Sequence, residues 1–311
     1  MLKQVIEAME LLDSAKVSGT DVAALLKSRG LEDVTVKTLK GEKGKTDFIR
    51  VRISGIRGKA AKGDAPTLGV LGRLGGVGAR PERIGLVSDA DGAIIAVATS
   101  LKLADMIAKG DALPGDVVIS THICPDAPTI PHKPVPFMGS PVGFADIGRE
   151  EVTSDMDAIL SVDTTKGNRI AKWRGFAITP TAKEGWLLKV SDDLLTIMEI
   201  VTGRTARVCP LTTQDITPYG NGIDHINSIM QPCIATDKPV VGVAITTEST
   251  VPGCATGASH PEDIEEATRF CVEVAKAYGK GLCNFYNEEE WRLIEKRYGP
   301  LKLLQTSGRQ P

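Results

Sequence analysis

The sequence has no apolar run approaching the length needed to cross a membrane. Its first residues, MLKQVIEAMELLDSAK, carry charges where a secretory leader has an unbroken apolar core. The six cysteines, Cys124, Cys209, Cys233, Cys254, Cys271 and Cys283, show no CxxC spacing and no small disulfide framework, which excludes a cysteine-stapled secreted scaffold. A formal net charge of −2 leaves no basic field for nucleic acid or an acidic membrane. Neither the Walker spacing nor a dinucleotide fingerprint is present, and there are no repeats or low-complexity segments. These absences lead us to expect a cytoplasmic protein with reduced thiols, without nucleic acid or membrane as partner.

What remains is a pattern of alternating strands and helices. From Thr67 onward it predicts a mostly parallel, mixed central sheet with helices on both faces, an α/β fold forming one domain over residues 1–311. Residues 1–60 read as a lead-in to that domain. They comprise helical spacing in Leu2–Leu12 and Asp21–Ser28, then strand alternation in Val34–Val36 and Phe48–Ile53 around the polar turn Gly41–Lys45. The stretch Ile84–Asp126 reads as a β-α-β unit: an apolar run Ile84–Val87, a helical pattern through Ile107, and a second run Val117–Ile119. Further strands are expected at Thr67–Leu71, Ala158–Val162, Ile170–Pro180, Ala206–Leu211 and Pro239–Ile245. Ser191 is a helix cap for a segment ending at Gly203, Tyr219–Asn227 is a glycine turn opening a short helix, and Ser259 with Glu262 forms a capping box for Pro261–Tyr278.

Parallel strands present their carboxyl ends to one crevice. Asp89 with Asp91, His122 with Cys124 and Asp126, and Asp163 all fall at such positions, and His225 and His260 lie beside later ones. Carboxylates and imidazoles that converge in this way suit a divalent ion such as zinc, manganese or cobalt, with Asp89, Asp91, Asp163, His122 and His260 as candidate ligands. Asp126, His122 and Cys124 are candidate catalytic groups, and Arg73, Asp224 and His225 candidate substrate contacts. Each has a plainer reading: Asp89 and Asp91 as helix caps, Asp163 in an Asx turn, His260 as a structural side chain, Asp224 as a loop brace, Cys124 as a small buried thiol. The glycine-rich run Gly72–Pro81 is a tight turn or a phosphate cradle, and the basic run Arg57–Gly63 a solvated loop. The loops Cys124–Val142 and Thr246–Ser259 are candidate specificity loops.

In this order the segments resemble the di-zinc aminopeptidase superfamily, in particular its glutamyl and deblocking aminopeptidase branch, and a divergent bacterial and archaeal branch with an altered metal site. Leu86–Gly92 is similar to that family's bridging-Asp segment, which would make Asp89 the bridge. Leu160–Thr165 is similar to its second Asp segment, and Gly220–Ile226 to its GGTDA turn. The resemblance implies the phosphorylase/hydrolase-like aminopeptidase fold, a small-molecule or short-peptide substrate, and a homo-oligomer. The departures are specific. Where the family has Gly-His-x-Asp, this chain reads Gly72-Arg73-Leu74-Gly75; the glutamate pair falls at Cys124-Pro125-Asp126; and His260 is the sole candidate for the last histidine. Two functions follow as expectations: a metal-dependent hydrolase acting on a small peptide or amino-acid-derived amide, or a metal-free descendant of the fold serving as a small-molecule binding or scaffold protein. A Cys124-dependent enzyme is a third.

Overall fold

The computed structural model describes residues 1–133, 135–250 and 254–309. The chain opens with two helices, α1 (Leu2–Leu12) and α2 (Gly19–Ser28), the second started by a reciprocal capping box between Ser18 and Asp21. A hairpin of β1 (Val34–Gly41) and β2 (Gly44–Ile53) follows. Then come β3 (Leu68–Gly72), α3 (Asp91–Ile107) and β4 (Val117–Ile123), three elements dominated by buried side chains. Two short strands, β5 (Thr129–Ile130) and β6 (Phe137–Met138), pair with each other, and α4 (Phe144–Glu151) leads to β7 (Ala158–Thr164). The remainder is β8 (Gly175–Ile178), β9 (Ala182–Lys183), β10 (Trp186–Leu187), α5 (Asp192–Thr202), a 3-10 segment Ser228–Ala235, β11 (Val240–Thr246), α6 (Pro261–Gly279) and α7 (Glu288–Tyr298).

Nine strands form one mixed sheet in the order β1-β2-β4-β3-β7-β11-β9-β10, with β8 also on β11. Its centre, β4, β3, β7 and β11, is parallel, and the hairpin and β8 to β10 add antiparallel edges. The central strands are buried on both faces, as continuous apolar runs require. Val70, Ile119, Leu160, Val162 and Val243 pack with α1, α3 and α6 in one core. Leu71, Val118, Ile159 and Ala244 pack on the other face against Ile229 and Met230 of the 3-10 segment. The expected α/β sheet is therefore present. Among the described residues no helix is long and apolar enough to cross a membrane.

Several boundaries differ from the sequence reading. Ile84–Val87 is no strand: Ile84 is 88% exposed, Gly85 takes φ +88°, and the Leu86 N–H is spent on Asp13 Oδ1 at 2.9 Å. The strand that feeds α3 is β3, with the glycine-rich run in between. Ala206–Leu211 makes only an isolated bridge, Val208 to Ile178, because Pro210 lacks a donor to continue a ladder. Ile170–Pro180 narrows to β8. Ser259 caps nothing; His260 takes the N-cap of α6 without a side-chain bond, and the Ser259 hydroxyl donates to Asp91 instead. Of the two candidate specificity loops, Pro134 and residues 251–253 lie outside the described residues.

Candidate active site at the carboxyl end of the sheet

Parallel register builds the site. Gly72 of β3 is level with Thr121 of β4 and Val162 of β7, so the next residue of each strand, His122, Arg73 and Asp163, stands in one row across three adjacent strands. Gly72 faces α3, where a Cβ would run into the Gly92 backbone and Ala96. The row therefore projects to the opposite face, where α4 supplies Glu151 and the 3-10 segment supplies Ser228.

Arg73 is 1% exposed and Glu151 fully buried; Nη1 of Arg73 donates to Glu151 Oε2 at 2.5 Å. Nε and Nη2 of Arg73 and Oε1 of Glu151 are buried without a partner. Burial pushes the Glu151 carboxyl up against the pull of Arg73. His122 accepts the Gly75 N–H on Nε2 at 3.1 Å, so its proton sits on Nδ1 and is donated to Thr46 Oγ1 at 2.8 Å, which passes its own to the Ile123 carbonyl at 3.2 Å. Burial, reinforced by the charge of Arg73, lowers His122 to about 3 and keeps the ring neutral. Asp163 accepts from the Thr164 N–H at 2.7 Å and from the Ser228 hydroxyl at 3.0 Å, yet burial raises it to about 7. Tyr219, from the glycine turn, stacks on Phe144 and His225 at this side, at 4.8 and 4.5 Å between centroids.

Asp89 and Asp91 stand at the start of α3, one before and one at its first residue. Neither caps it by a side-chain bond. Asp91 is held by the buried Lys166 ammonium at 2.6 Å and by Ser259 at 2.5 Å. Asp89 is 2% exposed, its Oδ1 has no partner, and burial together with the charge of Asp163 keeps it well above the usual carboxylate range. The glycine run serves this packing. Gly75 lies against the His122 carbonyl, and a Cβ on Gly76 would strike Asp89 Oδ2 and meet the Met138 methyl at 2.9 Å. That close backbone approach, rather than a phosphate, accounts for those two glycines.

The other candidate residues stand apart from this cluster. Asp126 is exposed, Asp224 is exposed, and His260 is exposed at the start of α6, where its charge acts on Asp263. His225 lies between the carbonyls of Ile223 and Thr217 at 2.8 and 3.0 Å. The Cys124 thiol is buried, points at the Lys45 carbonyl at 3.4 Å, and is pushed up to about 12 by burial, which leaves little thiolate for nucleophilic attack at neutral pH. Glu151 and Lys166 were not legible as site residues. A signal did exist for Glu151: it follows Ile147 by four residues, on the buried stripe of α4.

The metal implied by the resemblance can be tested against these donors. His122 has both ring nitrogens committed, Asp91 is neutralised by Lys166, and the positive charge beside Asp163 and Glu151 is a guanidinium. Among the described residues no group of three or more His, Cys, Asp or Glu side chains is placed to hold a metal ion. The donor set does not fit a divalent cation as it stands.

Residues 37–308 match the model of a family described as "Protein of unknown function (DUF1177)", and the chain belongs to that family. Comparison with curated protein sequences gives no match. Among solved structures, the LapA aminopeptidase of Legionella pneumophila is similar at 12% identity, over 91% of this chain and 71% of that one, with a TM-score of 0.49.

Proposed function

We propose that this chain is a hydrolase-like enzyme acting on a small amide-containing molecule, such as a short peptide or an amino-acid-derived amide, at the carboxyl ends of β3, β4 and β7. The observation that carries the reading is the free edge of Arg73. Its Nε–H and Nη2–H are parallel donors, buried and unpartnered, one strand away from Asp163. Such a fork matches a planar acceptor, a carbonyl or a carboxylate, and polarises an amide carbonyl placed on it. Asp163, brought to about 7, is matched to taking a proton from water near neutral pH. Asp89, which burial and the charge of Asp163 raise well above its ordinary value, is the group that would protonate the departing nitrogen. In this scheme water loses a proton to Asp163 and forms the new C–O bond, and the C–N bond breaks as Asp89 protonates the amine.

The test is a panel of dipeptides and N-acyl amino acids assayed by amine release. Turnover whose acidic limb rises with pH through about 7, lost by about a hundredfold or more in a folded Asp163→Asn variant, is expected. A second reading draws on the burial of the whole cluster, with Arg73, Asp163 and Asp89 at most 2% exposed. It makes the chain a small-molecule binding protein, and saturable binding of panel members without amine release would replace the enzyme with it.

A further inference from the structure

The guanidinium of Arg73 stands, buried, among side chains of the types that bind metal. In register order the row is imidazole, guanidinium, carboxylate: His122, Arg73, Asp163. Glu151 closes the group from α4, within 2.5 Å of Arg73 Nη1 and with its other oxygen 3.9 Å from His122 Nε2. A second buried cation, Lys166, does the same for Asp91 at 2.6 Å.

We propose that Arg73 is a built-in cation standing in the electrostatic place of a divalent metal, so that this site becomes a metal site only when the guanidinium is taken away. The argument rests on charge and space. A guanidinium remains charged under all conditions a folded protein meets. It occupies the middle strand of the row, so an ion reaching for His122, Glu151 and Asp163 would have to share their centre with a fixed positive charge, in surroundings with little water to screen it. It also occupies an acceptor, since Nη1 claims Glu151, while Nε and Nη2 lie buried without a partner. Removing it frees two carboxylates and, once the Gly75 bond is released, one imidazole nitrogen, donors of the kinds zinc and cobalt accept; among the described residues no three such side chains are placed to hold an ion, so they must rotate together to do it.

The experiment measures metal on the full chain. Wild type, Arg73→Lys, Arg73→Ala and Arg73→His are equilibrated with zinc or cobalt, dialysed, and analysed for metal content, with the cobalt absorption spectrum reporting coordination. We expect wild type and Arg73→Lys, which keep a positive charge, to retain less than about a tenth of an equivalent, and Arg73→Ala and Arg73→His to bind at least about a hundredfold more tightly. The inference is overturned if wild type retains a stoichiometric metal that Asp163→Asn releases. It is equally overturned if folded Arg73→Ala, checked by circular dichroism, takes up no more metal than wild type. Wild type alone decides the first point even if the neutral variants do not fold, and Arg73→Lys binding as tightly as Arg73→Ala would show that charge is not what excludes the ion.

Discussion

Removing either half of the Arg73–Glu151 pair should destabilise the protein, but the two losses should respond to pH in opposite ways. Glu151→Gln strands a guanidinium that is 1% exposed and cannot shed its proton. Breaking a buried pair in this manner costs about 3–5 kcal/mol. Arg73→Met instead strands a carboxyl, which escapes by keeping a proton. Burial already holds Glu151 above its ordinary value against the pull of Arg73, and without Arg73 it rises further. A folded-state value above the unfolded one means that the folded chain holds a proton the unfolded chain releases. The associated stability is full at low pH and is lost as pH rises. Over the interval in which the wild-type carboxyl has ionised and the variant's has not, the cost of Arg73→Met grows by about 1.4 kcal/mol per pH unit, about 2.7 kcal/mol over two units. Asp163, which Arg73 also holds down, steepens that trend above about pH 7. For Glu151→Gln the trend is level or reversed, because a charge that raises Asp163 has gone. Urea unfolding followed by circular dichroism, with linear extrapolation at several values between about pH 5 and pH 8, measures both. Parallel pH profiles for the two variants, or a cost below about 1 kcal/mol for Glu151→Gln, would refute a buried ion pair at the centre of the site.

Two further outcomes follow from the same geometry. His122, neutral in the folded state down to about 3, contributes stability that is present above its unfolded value near 6.5 and lost as pH falls, while Asp163, raised to about 7, contributes stability lost as pH rises from its unfolded value near 3.8. The two slopes oppose each other between about pH 4 and pH 6.5, so an unfolding series on His122→Gln should expose a decline of about 1.4 kcal/mol per unit with rising pH, and a flat profile would contradict it. Gly76→Ala places a methyl against Asp89 and Met138; a loss of about 1–3 kcal/mol in thermal or urea unfolding is expected, and a neutral result would show that the 72–81 loop is not packed as described.

The sheet was legible because β3, β4, β7 and β11 are short apolar runs bounded by turn residues, and because α3 and α6 carry long helical periodicity. Ile84–Val87 misled because three apolar letters around a glycine look like a strand whether or not a ladder is available, and only the structure shows β3 already holding the place between β4 and β7. Asp89, Asp163, His122 and Arg73 could be named from their positions at strand ends and helix starts. Their roles could not, because those depend on partners far along the chain. Glu151 sits in FADIGREE, where three acidic residues look alike until the helix is docked, and Lys166 sits in an unpatterned DTTKG segment 75 residues from the Asp91 it neutralises. The Gly75 N–H sets the tautomer of His122, and the ring's other nitrogen meets Thr46, a residue of the edge hairpin that no local pattern connects to a strand three elements later.

The charges at the carboxyl end of the sheet also bear on the proposed chemistry. Glu151 is answered by Arg73 and Asp91 by Lys166, and each answer is a short contact between buried groups. Asp163 and Asp89 remain, close enough for the charge of one to raise the other, and among the described residues neither has a cation bonded to it. Two carboxyl groups in that position cannot both ionise at low cost, so near neutral pH they hold a proton between them. A divalent ion in the same place would have drawn that proton off and kept both ionised. Under the proposed function, a fixed guanidinium with one edge unpartnered and a proton retained on the adjacent carboxyl pair would supply what amide hydrolysis needs, a donor fork for the carbonyl oxygen and a proton that can move.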